Sequence, residues 1–172
     1  EGEHMKGFVA VVCIAAVLSL LAVGGCATNC FSVVETSIPE LQQALSEGSV
    51  TCVQLVQAYL DRIEAYDKAG PKLNSFITVN PKALEEAAEM DQLPPASRRP
   101  LHCIPFVAKD LFNAVGMPTT AGSVVLADSY GSDDAFIVRL LKDEGALLMG
   151  KVNLAELALG ISGGTNSSLG GQ

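Results

Sequence analysis

Ile104-Pro105-Phe106-Val107-Ala108-Lys109-Asp110 is an apolar run that closes on an adjacent cation and anion. Five consecutive apolar residues bounded by turn-forming chain predict a short buried strand, and such a strand would carry the Lys109 ammonium from a hydrophobic layer to the edge of a cleft. Partial burial there would lower the pKa of the amine and make it available as a base, whereas an ion pair with Asp110 would retain its charge. If the strand continues, Asp110 points to the opposite side and can cap the following turn.

Upstream of this strand the punctuation is helical. Ser37-Ile38-Pro39-Glu40 has the form of a capping box with proline in the first turn, and Gly48 ends that helix. Thr51-Cys52-Val53-Gln54 repeats the box, and Val53, Val56, Leu60 and Ile63 follow on one face, with Asp61, Arg62 and Glu64 pointing elsewhere. Gly70-Pro71 breaks the chain before a predicted strand from Leu73 to Val79. Asn80-Pro81 then restarts a helix through Met90, and Leu93 to Pro100 reads as an exposed connector.

Downstream, Ser132 or Asp133 is expected to cap a helix whose Phe136, Ile137, Leu140 and Leu141 face inward until Gly145. Ala146 to Met149 predicts another short strand. Gly150-Lys151-Val152-Asn153 leads toward a short helix through Leu159, and residues 160–171 form a polar glycine-rich loop. Ten of the 16 glycines lie from Gly116 onward, which concentrates tight turns and close backbone approach in this half. These alternating elements define a layered α/β class, without an evident internal repeat.

The chain has 172 residues, 49% hydrophobic and 17% charged, with a net charge of −8. An acidic balance argues against binding nucleic acid through phosphate neutralisation. Residues 1–4 precede Met5 and are read as upstream sequence. The basic Lys6, the uncharged stretch from Gly7 to Gly25 and the small residues before Cys26 predict a secretory signal over residues 5–25, with a single membrane anchor as the rival. Val23-Gly24-Gly25-Cys26 also resembles a lipoprotein cleavage box that would place lipid on Cys26. Residues 26–36 then form a connector to a domain at 37–172. The expected location is secreted or periplasmic, with a membrane-anchored alternative.

Cys26, Cys30, Cys52 and Cys103 permit disulfides without specifying any, and Cys52 and Cys103 also suit small buried positions. No close cysteine pairs or histidine cluster mark a zinc site, and the surroundings of Lys151 lack the spacing of a phosphate loop, so neither a metal nor another cofactor is expected. Asn166-Ser167-Ser168 satisfies the N-glycosylation pattern.

Taken together, Leu55 to Ile63, Pro100 to Asp110, Thr119-Thr120-Ala121-Gly122-Ser123 and Gly150 to Leu157 resemble the amidase-signature hydrolases in order and spacing. The similarity spans approximately residues 38–172. It implies the amino-terminal part of a layered fold with a mixed central sheet. Cys103 stands where that family usually has glycine.

By the same resemblance Lys109 is the base of a serine, cis-serine, lysine arrangement, and Gly163, Gly164 and Thr165 lie in a substrate-cleft loop. None of Ser162, Ser167 or Ser168 occupies the nucleophile position, so both catalytic serines are expected beyond residue 172 and this polypeptide is expected to be inactive alone. The implied activity of the parent protein is hydrolysis of small, peptide-like or fatty amides. The alternative is a truncated noncatalytic binding or interaction protein. A component of a tRNA-dependent amidotransferase is disfavoured by the export signal.

Overall fold

The computed structural model describes residues 31–159 and 166–171. The signal segment, Cys26, Ser162 and the Gly163-Gly164-Thr165 loop lie outside the described residues.

The two capping boxes form as the sequence predicts. Ser37 donates from its backbone N–H and its hydroxyl to the Glu40 carboxylate, at 2.7 and 2.6 Å, and α1 runs over Ile38–Glu47 to a left-handed Gly48 (φ 70°). Thr51 and Gln54 exchange side-chain and backbone hydrogen bonds to start α2, Cys52–Arg62. Asp91 provides a second cap from a distant part of the chain, its carboxylate accepting from the Cys52 and Val53 amides at 2.8 and 3.1 Å. The α2 turns then widen into a π-helical segment, Ile63–Lys68.

Strand β1 is Phe76–Val79, shorter than the predicted run from Leu73. Asp67 fixes its start: the carboxylate accepts from the Ser75 hydroxyl, from the Ser75 amide at 2.5 Å and from the Phe76 amide at 3.2 Å. Helix α3, Ala83–Asp91, begins later than Asn80-Pro81 implies. Buried Asn80 still organises the junction, accepting from the Lys82 amide at 2.9 Å and donating to the Leu148 carbonyl at 2.8 Å.

Strands β2, Pro105–Lys109, and β3, Leu147–Val152, complete a sheet ordered β1-β3-β2. The sheet is mixed, because β3 pairs antiparallel to β1 and parallel to β2. Alternation along β3 divides the core. Leu147 and Met149 join Leu41, Leu55, Val56 and Ala87 beneath the α1 to α3 layer. Leu148 faces the other way, toward Ala108, Ala114, Met117 and Val138.

Helix α4, Phe136–Asp143, departs from its prediction at both its cap and its face. Its N-cap is Ala135, with no side-chain cap. Neither Ser132 nor Asp133 fills that role, and Asp134 instead accepts from the Val115 amide at 2.7 Å and pairs with Lys142 at 2.9 Å. Val138 is the buried residue of the helix, while Phe136, Ile137 and Leu140 are exposed among the described residues. Periodicity locates an apolar stripe but not a surface to cover it.

β3 is longer than the predicted Ala146–Met149 because it continues through Gly150, Lys151 and Val152. The segment beyond it forms only a 3-10 turn, Glu156–Ala158. The register with β2 slips between Phe106↔Leu148 and Val107↔Gly150, so one extra residue of β3 forms a bulge. Gly150 has φ 156°, and a Cβ there would lie 2.3 Å from the Thr78 carbonyl oxygen. We predict that Gly150→Ala lowers unfolding stability by at least about 2 kcal/mol, measured by urea denaturation, because the obstacle is backbone that cannot yield cheaply.

Asp67 yields a pH prediction. Burial pushes its carboxyl up, but hydrogen bonds from Ser75 and Phe76 and the Lys68 ammonium outweigh burial and hold it below its ordinary 3.8. A depressed carboxyl stabilises the fold above its unfolded pKa, and this contribution is lost as pH falls through the lower folded value. The stability advantage of wild type over Asp67→Asn should therefore be full at pH 7 and shrink below about pH 4, read from urea midpoints at both pH values.

Candidate active site

The β3 bulge has a chemical consequence. It turns Lys151 to the side of the sheet that carries Leu148, where the chain leaving β2 is packed. Both Lys151 and Asp110 have 0% side-chain exposure, and their charged groups meet at 2.8 Å. Lys151 Nζ also donates to the Pro118 carbonyl at 3.1 Å and to Thr119 Oγ1 at 3.0 Å. The second Asp110 oxygen accepts from the Thr120 amide at 3.0 Å and from the Thr120 hydroxyl. Among the described residues no buried side-chain nitrogen or oxygen lacks a partner, so this pair is fully hydrogen-bonded in its dry surroundings.

Asp110 thus points away from Lys109, as strand alternation requires, and its ion partner lies on the neighbouring strand. Lys109 ends β2 opposite Val152 and is exposed among the described residues. The partial burial expected around its amine is not supplied by the described residues. Its backbone is nevertheless held firmly: the Lys109 carbonyl accepts from Leu111 and Phe112 at 2.7 and 2.9 Å, and the Asp110 amide donates to Val152 at 3.0 Å. The strand therefore presents Lys109 from a fixed base.

An apolar cleft of about 390 Å³ lies beside the same strand, lined in part by Tyr59, Ile63, Tyr66, Phe76, Val107 and Met149. Val107 and Lys109 alternate outward from Ala108, so both stand on the open side of β2.

A second wall is built from Thr120 to Ser123. The Asp110 carbonyl accepts from the Ala121 amide at 2.9 Å, and the Ala121 carbonyl accepts from the Leu157 amide at 2.8 Å. Buried Ser167 donates to the Gly122 carbonyl at 2.6 Å and accepts from the Gly170 amide at 2.7 Å. Ser168 Oγ accepts from the Val124 amide at 3.0 Å. Both hydroxyls are thus engaged in holding loops. Hydrogen bonds from the side chains of Ser123 and Ser168 and from the Ser168 amide hold the Glu156 carboxyl below its usual range. Asn166, the residue of the glycosylation pattern, is exposed, and its carbonyl accepts from the Glu156 amide at 3.1 Å.

Lys151 is not among the site residues to which the sequence points. The available signal is a lone cation inside the apolar run from Ala146 to Val152, a position that a folded chain tolerates only with a buried partner.

Lys151→Met should strand the Asp110 carboxylate and cost roughly 3–5 kcal/mol. Combining it with Asp110→Asn removes the orphaned charge, so the double variant should be more stable than Lys151→Met alone. A thermodynamic cycle from chemical denaturation checks this ordering.

The described fold and its wall of loops have counterparts in known proteins. The family model described as Amidase matches residues 54–172. A glutamyl-tRNA(Gln) amidotransferase component from an Exiguobacterium species is 39% identical over 131 residues, which cover 76% of this chain and 27% of that protein. The peptide amidase from Stenotrophomonas maltophilia has a structure similar at a TM-score of 0.76 with 43% identity, over 81% of this chain and 29% of that one. An amidase family protein from Bacillus anthracis gives a TM-score of 0.68 and 40% identity, over 72% and 25%. The chain therefore spans about a quarter of the length of these relatives. With its mixed sheet and the matched sequence covering most of the domain, this chain belongs to the amidase family.

Proposed function

We propose that this chain is the amino-terminal part of an amide C–N hydrolase and that Lys109 is its general base. The observation that carries the reading is the placement of Lys109 at the end of β2, two residues beyond Val107 of the cleft lining and next to the buried Asp110–Lys151 pair that fixes the strand's exit. The family membership supplies the reaction class, and the similarity to a peptide amidase favours peptide-like amides, with fatty amides as the second substrate class.

In this mechanism neutral Lys109 accepts a proton from a bridging cis-serine, which in turn takes the proton of the nucleophilic serine. The serine oxygen adds to the amide carbonyl, and backbone amides stabilise the resulting oxyanion. Collapse of that intermediate breaks the C–N bond, with the amine leaving protonated. Water then adds to the acyl-enzyme, releases the carboxylic acid and restores the serine. We place both serines in sequence beyond residue 172. The engaged hydroxyls of Ser167 and Ser168 support that placement. The same continuation would cover the Lys109 side of β2 and provide the desolvation that a neutral amine requires.

We further propose that the protein is exported under the direction of residues 5–25. The buried disulfide between Cys52 and Cys103 supports an oxidising destination. Among the described residues, no helix is long and apolar enough to cross a membrane.

Hydrolysis of a carboxyl-terminally amidated peptide provides the test. The 172-residue chain should release no ammonia, whereas the same chain joined to its continuation should turn the substrate over. In that longer protein Lys109→Ala should reduce kcat/KM by about 10²–10⁴ and abolish the acyl-enzyme burst. Turnover by the short chain, or unchanged turnover in the variant, would overturn the assignment. A longer protein that binds the peptide without cleaving it would identify a noncatalytic binding module.

A further inference from the structure

Cys52 and Cys103 are separated by 51 residues in sequence, yet they are disulfide-bonded with Cα atoms 5.6 Å apart. That separation is ordinary for a disulfide. Cys52 opens α2 and Cys103 lies two residues before β2, so the bond joins the helical layer to the turn that launches the Lys109 strand. Both cysteines are buried, Cys52 at 1% and Cys103 at 0% exposure. A cavity of about 220 Å³ is lined by Cys52 and His102, together with Asp91, Arg98, Thr51 and Val50 among others, but not by Cys103. His102 Nε2 stands 3.7 Å from Cys52 Sγ and 3.5 Å from Cys103 Sγ.

Cys103 also occupies an unusual backbone position. Its φ is 61°, a conformation that disfavours a side chain and suits glycine. The surrounding turn leaves it little latitude: the Cys103 amide donates to Gly145 at 2.9 Å, and the Ile104 amide donates to Leu101 at 2.9 Å. A cysteine here carries a conformational penalty that glycine would avoid. The covalent bond offsets that penalty by restricting the unfolded chain.

We propose that Cys52, Cys103 and His102 form a reversible thiol–disulfide centre, reached through the Cys52 side of the cavity, whose oxidised state fastens the turn leading into the Lys109 strand. The reductant is a dithiol. Its thiolate attacks Cys52 Sγ, the Sγ–Sγ bond breaks, and the electron pair leaves on Cys103, which takes up a proton. His102 Nε2 is placed to relay that proton to the departing sulfur. The reductant's second thiolate then attacks its own sulfur in the mixed disulfide and releases Cys52, which is protonated in turn. In total the protein disulfide gains two electrons and two protons, and the dithiol becomes a disulfide.

The surrounding charges define the resting state of the relay. Burial and the nearby Arg98 hold the His102 pKa below its ordinary value, against the opposing influence of Asp91. Burial and Arg98 both favour the neutral imidazole, in which one nitrogen donates and the other accepts. The Asp91 carboxylate is already engaged by the first amides of α2, so it remains a fixed neighbour.

The experiment uses the 172-residue chain under native conditions, equilibrated with reduced and oxidised dithiothreitol. Peptide mapping after alkylation should show Cys52 linked to Cys103 in the oxidised protein and both labelled after native reduction, with a single two-electron transition. Reduction should lower Tm by about 10 °C. Cys52→Ser should show the lower Tm without any redox response. Cys103→Gly should also lose the response but melt above Cys103→Ser, because glycine relieves the positive φ. His102→Gln should slow exchange by about tenfold or more, without moving the equilibrium between dithiol and disulfide.

Several results would overturn the proposal. One is labelling of both cysteines in air-oxidised protein. Another is reduction that occurs only after denaturant is added, which would make the bond a static brace. An unchanged Tm on reduction, or an unchanged exchange rate in His102→Gln, would also count against it. Stoichiometric zinc binding by the protein as isolated would instead identify the trio as a metal site.

Discussion

The Lys151–Asp110 pair is the constraint around which the candidate site is arranged. Two opposite charges share a fully buried location between adjacent strands, and neither can remain there without the other. Satisfying them requires more than their mutual contact. Lys151 draws in the Pro118 carbonyl and the Thr119 hydroxyl, while Asp110 draws in Thr120. The pair therefore determines where the loop leaving β2 must run. An apolar pair of similar volume could fill the same space, but it would not specify the hydrogen-bonding direction of that loop.

The bulge and the ion pair form one device. Without the extra residue in β3, the alternation that sends Leu147 and Met149 toward the helices would send Lys151 there as well, into a layer with Leu55 and Val56. The register slip turns it instead toward Asp110. Gly150 makes that slip feasible because the β1 backbone passes where a side chain would stand. A steric requirement on one edge of β3 is thereby linked to an electrostatic requirement on the other, and Lys109 inherits its position from both.

What is legible in the sequence follows the range of each interaction. The Ser37/Glu40 and Thr51/Gln54 boxes are closed within four residues, so their chemistry can be read directly. The β2 strand and its terminal lysine are likewise visible in a short apolar run. Lys151 is not assignable from its neighbours because Asp110 lies 41 residues away, and the disulfide stays open in the sequence because five cysteines do not specify connectivity. The actual α2 face includes deeply buried Leu55 beside Val56, since Asp91 and the sheet settle its rotation. For α4, a strong apolar stripe reads as inward, but periodicity reports only which residues share a side.

That last distinction also separates two properties of the candidate base. The position of Lys109 depends on backbone bonds and the buried ion pair, all supplied by described residues. The desolvation of its side chain depends on what excludes water from its open side, where Lys109 is exposed and Val107 borders the cleft. A scaffold can fix the first property without fixing the second, because strand geometry is set from beneath while desolvation is imposed from above. Exposed Phe136, Ile137 and Leu140 on α4 present the same asymmetry on the other layer: an ordered support with an apolar surface turned outward. Proteins of this family, of whose length this chain spans about a quarter, have the further chain to cover such surfaces, so positioning and activation of the lysine can reside in different parts of one polypeptide.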